Sequence, residues 1–493
     1  MKHVHIVLLA ALMCSGCQYL TRPRYDLPAD LSPLVAKLEH PKVCLALSGG
    51  GLRSAAFSTG VMRGLATKNA LGQIDIISAA SGGSWSLLWL NARLSETPDS
   101  SVESVFGIGS DTTSGDLVTL DSSSFIDPFW KGWTAFWGLF RAADAAYYGA
   151  LFGKFNFLPL SRNALISNVL VKKQPVPVVV VSRIPECYGA GEGNVYDMSG
   201  PSMKDQLTDL LPINDHLVEL TPVNWGSRNT SYTQTFEYPI GDVTNWPTIS
   251  GAFIDAPGYR RCATMRLLGE KFGSHITSPE TMDKAWNKRE SIYVADGGFA
   301  DNLAVRNLVD RQCKTILVVD AEHDPALEFG SYRRLRCDLN NTVHDRMVVP
   351  TIDRWLADSQ ACEASEQRAA FLADDAQNPI VQQPITEGCI TKGADCTNLS
   401  TDIKLFYLKL TLNPGQLQDL TSNGYDDVVA AYEKRHSEVC TLRSKSGDDN
   451  ECSFPQTPTT KSNYDADEFR AYRHLGEYMI EAYLPVNEYL SVH

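Results

Sequence analysis

The sequence is short of positive charge: 44 Lys and Arg stand against 58 Asp and Glu, a formal net charge of -14 at pH 7. No basic run interleaved with aromatic residues interrupts that balance. This excludes the footprint of a nucleic-acid-binding protein and removes any electrostatic pull toward anionic lipid. Among the ten cysteines beyond Cys17 no pair has CxxC spacing, so neither a cysteine zinc cluster nor a dithiol redox pair is written there. No internal repeat or low-complexity tract is found. The apolar stretch near the start, Val4 to Met13, is far too short to span a bilayer as a helix. Membrane attachment would need another device.

The first residues supply one. Lys2, the short apolar stretch and the small residues before Cys17 read as a removable export signal over residues 1–16. Ser15, Gly16 and Cys17 resemble the end of a bacterial lipoprotein lipobox, with Cys14 where that motif usually has Leu. The resemblance implies lipidation of Cys17 and attachment in the bacterial cell envelope, at the outer membrane or periplasmic face. Residues 17–40 would then be a tether, broken by Pro23, Pro28 and Pro33. An ordinary cleaved signal is the alternative. An oxidising compartment lets the remaining cysteines pair. Cys389 with Cys396 and Cys440 with Cys452 close short loops and are the expected bridges, whereas Cys44, inside an apolar run, is expected to be a buried thiol.

At 493 residues the chain could hold two or three domains or one α/β core with long insertions. The expectation is one catalytic domain over 41–493. "KVCLALS" and "IDIISAA" read as strands, with Phe57, Val61 and Leu65 at helical spacing between them, which is a βαβ unit and a mostly parallel sheet. An aromatic segment within 95–170 reads as a packed helical insertion or, alternatively, as a lid presenting Trp130, Trp133 and Trp137 to lipid. Further strand-like runs follow at "PVPVVVVS", "YTQTFEYPI", "SIYVAD" and "KTILVVDAE". A cysteine-containing extension begins near residue 330.

Three turns carry the chemistry. "SAASGGSW" places Ser81 at a strand-to-helix junction, where a hydroxyl stands above the sheet and the following helix aims its N-terminal amides at the same spot. "ALSGGGLRSAAFSTG" brings Gly49, Gly50 and Gly51 to the same edge, with backbone N–H groups for a developing oxyanion. Arg53 adds a positive charge for the oxyanion or a substrate phosphate. "VADGGFADN" ends a strand at Asp296, a base for Ser81, with Asp301 and Asp320 as alternative acids.

Gly49 to Arg53, "SGGSW" from Ser81 and "DGG" from Asp296 together resemble the patatin-like and cytosolic phospholipase A2 superfamily of serine-aspartate acyl hydrolases. The resemblance covers roughly residues 42–95 and 245–320. "TISGAFIDAP", 248–257, also resembles a small-residue segment of patatins. It implies a patatin-like three-layer α/β fold, a Ser81–Asp296 dyad without histidine, an oxyanion loop at Gly49–Gly51, and a phospholipid or lysophospholipid substrate. It implies no calcium or other cofactor, and it points to no protein partner. Three rivals stand beside it. A Ser/His/Asp carboxylesterase or acyltransferase would use His323. A non-catalytic envelope lipoprotein would bind lipid only. A dinucleotide fold would use Gly49, Gly51 and Ser54, but Asp75 lies at the wrong edge of the second strand to hold a ribose.

Overall fold

Short runs rich in Val, Ile and Leu, apolar at every position, suit strands covered on both faces. The computed structural model describes residues 30–96, 100–108, 160–183, 213–227, 231–234, 243, 246, 250, 274–277, 291–356, 378–393, 396, 402–437, 453–459, 464 and 466–491. The export signal, Cys17, the aromatic part of the insertion and the Cys440/Cys452 pair lie outside them. Residues 1–33 form a separate unit, and Leu34–His493 form another, which is the one described below.

Its strands are β1 Val43–Leu47, β2 Ile76–Ala80, β3 Val176–Arg183, β4 Leu217–Leu220, β5 Asn224–Ser227 and β6 Ser231–Gln234. After them come β7 Ser274–Thr277, β8 Ser291–Asp296, β9 Thr315–Asp320, β10 Arg346–Val348, β11 Ile385–Thr391 and β12 Ile403–Lys409. They form one sheet in the order β10-β11-β12-β9-β1-β2-β3-β4-β5-β6, with β8 joined to β3 and β7 to β8. The five central strands, β12 through β3, are parallel, and both flanks are antiparallel. Three of the strands come from the region beyond residue 330, so the C-terminal third completes the sheet.

Helices α1 Gly51–Thr67, α2 Gly82–Glu96 and the C-terminal α3 Ala466–Tyr483 cover one face, where Phe57, Val61, Leu87, Leu475 and Ile480 meet Leu45, Ile77, Leu317 and Phe406. At the α1–α3 crossing a methyl group on Gly60 would lie 1.7 Å from the Arg473 carbonyl oxygen, so only glycine lets the backbones come this close. On the other face Ser78 bonds Asn307 of the helix Arg306–Asp310, and Tyr407 meets Tyr332 of the helix Gly330–Thr342 edge to face at 5.6 Å. The result is three layers.

Two disulfides lie among the described residues. Cys389–Cys396 is the expected short bridge. Cys44 is not a thiol: it pairs with Cys313, 269 positions away, because β1 and β9 are neighbours and their starts meet at the edge opposite the glycine turn. The strand run alone could not show that neighbour.

Candidate active site

A parallel sheet gathers the ends of its strands at one edge, so β1 and β2 deliver their following turns side by side. Asp296 arrives there by a different route. Strand β2 lies along β3 with Ala80 beside Val180, and β8 lies antiparallel to β3 with Asp296 beside Val181. Strand β4 pairs with β3 from Val179 to Ser182 and so occupies its other flank. Strands β2 and β8 therefore run toward each other along the same flank of β3 and stop at adjacent levels. Ser81 and Asp296 end up face to face, and the Ser81 hydroxyl donates to Asp296 Oδ2 at 3.0 Å.

Both residues are held tightly. Ser81 has a left-handed φ of 48°, the strained conformation of a residue forced to turn sharply from strand to helix. Its amide donates to Ser250 Oγ at 2.9 Å, and Ser250 Oγ donates to the Val180 carbonyl at 2.6 Å. The Ser250 carbonyl accepts from Gly297 N at 3.0 Å, so Ser250 clamps the turn at Ser81 to the turn after Asp296. Asp296 Oδ1 accepts from Gly298 N at 2.8 Å, which fixes the carboxylate plane. The two residues are 7% and 6% exposed, reachable yet largely shielded from water.

The other acids are engaged elsewhere. Asp301 is buried, which raises its pKa, and it accepts from the Leu303 and Arg306 amides, closing the turn after Asp296. Asp320 accepts from Tyr407 and from the buried Lys409 ammonium. His323 is exposed on the loop after β9, and no histidine bonds the Ser81 hydroxyl among the described residues. Asp75 accepts from the Lys42 and Val43 amides at the opposite edge.

The glycine turn offers fewer unengaged amides than its three glycines suggest. Gly49 N–H donates to the Asn302 carbonyl at 2.8 Å and has no amide left for an oxyanion. Gly50 and Gly51 have φ of 143° and 62°, and their amides donate to no acceptor among the described residues. A methyl group on Gly82, next to Ser81, would lie 2.0 Å from the Gly51 carbonyl oxygen and 3.0 Å from Gly51 N, so Gly51 borders the turn of Ser81. Asn302 was not singled out by any motif; its side chain lies against Gly49 and Gly298 and donates to Ser331 Oγ at 2.9 Å.

Arg53 lies beside the glycine turn, its Nη2 3.2 Å from where a methyl group on Gly50 would stand, and the fold engages it fully. Its guanidinium is fully buried, with Nε donating to the Ala321 carbonyl at 3.0 Å, Nη1 to the Thr457 carbonyl, and Nη2 to Thr459 Oγ1 at 3.3 Å. The charge is met by two backbone carbonyls, one just after β9 and one in the C-terminal segment, and by the Thr459 hydroxyl. The acceptors lie 268 to 406 positions away, beyond the reach of any local motif. Among the described residues no His, Cys, Asp and Glu group has the arrangement of a metal site.

The sequence model of the family described as patatin-like phospholipase matches residues 45–309, just over half of the chain. No curated protein matches. Among solved structures the chain is similar to human GIVD cytosolic phospholipase A2, with a TM-score of 0.56 and 11% identity, covering 95% of this chain and 68% of that one. It is also similar to the human GIVD cytosolic phospholipase A2 complex with methyl gamma-linolenyl fluorophosphonate, with a TM-score of 0.50 and 11% identity, covering 94% and 63%. This likeness shows the fold, with its three layers and central sheet.

Proposed function

Because the chain belongs to the patatin-like phospholipase family, a family of lipid acyl hydrolases, we propose that it cleaves carboxylic esters of phospholipids or lysophospholipids through a Ser81–Asp296 dyad. The observation that carries this reading is the 3.0 Å hydrogen bond from the Ser81 hydroxyl to Asp296 on a strained strand-to-helix turn. Asp296 takes the hydroxyl proton as Ser81 Oγ attacks the ester carbonyl. The negative charge formed on the carbonyl oxygen is met by the Gly50 and Gly51 amides and the start of α2. The alcohol leaves with the proton held by Asp296. Water, deprotonated by Asp296, then releases the fatty acid and restores Ser81. The human neighbour is solved in complex with methyl gamma-linolenyl fluorophosphonate, which supports a lipid-like ligand for this chain as well.

Purified protein with defined phospholipids tests this. Ser81→Ala and Asp296→Asn should each remove nearly all fatty-acid release, and the double variant should lose little more, because nucleophile and base act as a unit. Full activity in Asp296→Asn would refute the dyad. His323→Ala as damaging as Ser81→Ala would replace it with a triad.

The envelope location and the Cys17 anchor belong to the same proposal. Disulfides at Cys44–Cys313 and Cys389–Cys396, with Cys337 also disulfide-bonded, support folding in an oxidising compartment. Cys17→Ala should move the protein to a soluble fraction or block its processing; membrane retention with no mass change at the N-terminus would contradict the anchor.

A further inference from the structure

We infer that the segment Ser453–Thr459, outside the region matched by the family, is a wall of the catalytic site, and that Thr459 limits the bulk an acyl group can carry beside its carbonyl. The inference rests on the serine-hydrolase reading above.

The segment is anchored from several sides. Gln456 and Thr457 are buried. The Asp324 amide donates to Gln456 Oε1 at 2.7 Å, and Gln456 Nε2 donates to the Leu410 carbonyl at 2.9 Å. Tyr472 of α3 donates to Thr457 Oγ1 at 2.7 Å, and its ring packs on Phe454 at 4.7 Å. Arg53, at the start of α1, holds the Thr457 carbonyl and Thr459 Oγ1. The strut therefore starts two residues past Gly51 and ends on the residue that covers Gly51.

Thr459 emerges exposed from these anchors. A methyl group on Gly51 would lie 3.2 Å from the Thr459 carbonyl oxygen and 3.4 Å from its Cγ2. Gly51 also borders Gly82, which follows Ser81. Thr459 therefore packs on Gly51 itself, and branching at the carbon attached to a carbonyl held by the Gly51 amide is expected to meet its methyl first. The Thr459 hydroxyl faces Arg53, which leaves methyl and backbone as the surface a substrate meets.

The test compares kcat/KM of the full chain on p-nitrophenyl acetate and on p-nitrophenyl pivalate, which is branched beside the carbonyl. Thr459→Ser removes the methyl and keeps the acceptor for Arg53; it should raise the pivalate-to-acetate ratio by about tenfold, the low end for one methyl group in a specificity pocket. Thr459→Val keeps the bulk and loses the acceptor, and its ratio should stay near that of the parent. A ratio unchanged in Thr459→Ser, or raised as much in Thr459→Val, overturns the wall, since a purely structural role would change both esters together. If the parent protein cleaves neither ester and Ser81 takes up no fluorophosphonate, the hydrolase reading falls and the wall with it. Labelled Ser81 with a flat ratio removes the wall alone.

Discussion

Replacing Arg53 with alanine separates two roles that a guanidinium beside a glycine turn can have. The side chain is fully buried and makes three hydrogen bonds, two of them to backbone carbonyls. A hydrogen bond involving a charged group contributes about 1.5–3 kcal/mol, and a buried acceptor left without a partner costs about 1–3 kcal/mol. Partial relaxation and non-additivity reduce the sum, so Arg53→Ala should destabilise the protein by about 3–5 kcal/mol. The loss should appear as a lower urea midpoint followed by circular dichroism. The same bonds fix the turn at Gly50, so hydrolysis should also fall, by similar factors on a phospholipid and on a neutral aryl ester. If phospholipid hydrolysis falls about tenfold further than aryl ester hydrolysis while the urea midpoint stays put, the guanidinium serves a phosphate and the strut is refuted.

Three further outcomes follow from the same geometry. Gly50→Ala requires a side chain at φ 143° with its Cβ 2.5 Å from the Ala321 carbonyl oxygen, so kcat should fall by about a hundredfold or more; a kcat within a few-fold of the parent would remove the amide pair from the oxyanion role. Cys44→Ala opens a link spanning 269 positions and should cost about 2–5 kcal/mol in denaturant unfolding, and an unchanged midpoint would contradict the bridge. Burial disfavours the Lys409 ammonium, but Asp320, Asp324 and Glu322 outweigh it and raise its pKa. Its stabilising contribution is therefore complete below its unfolded pKa of about 10.4 and is lost as pH rises through the higher folded value. Lys409→Met should destabilise at neutral pH by about 3–5 kcal/mol and flatten that alkaline decline, to be read from melting temperatures across pH; an unaltered alkaline profile would show that Lys409 is not its source.

What could be read from the sequence was what neighbouring residues decide. Apolar runs ending in glycine turns gave the parallel centre, and a serine between strand and helix marked the elbow. Asp296 was legible as a strand end but not as the end of an antiparallel strand, because β8 takes its direction from pairing with β3 across more than a hundred residues. The same reason hid Ser250, whose clamp joins Ser81 to Gly297, and Asn302, whose carbonyl consumes the Gly49 amide. The partners of Arg53, Ala321, Thr457 and Thr459, were not legible, because they are brought to it only by the folded sheet and the C-terminal segment. Cys44 read as a thiol until β9 lay beside β1.

Activation of Ser81 as a nucleophile by Asp296 is the step on which the proposed hydrolysis depends. Its most direct test is the mass of the peptide containing Ser81 after exposure of the folded chain to an alkyl fluorophosphonate, measured alongside Ser81→Ala, Asp296→Asn and His323→Ala. A covalent adduct is expected on Ser81 in the parent and in His323→Ala, none in Ser81→Ala, and labelling slowed by about a hundredfold or more in Asp296→Asn, the scale of a lost general base. An adduct on another residue, or Asp296→Asn labelling at the parent rate, would contradict it.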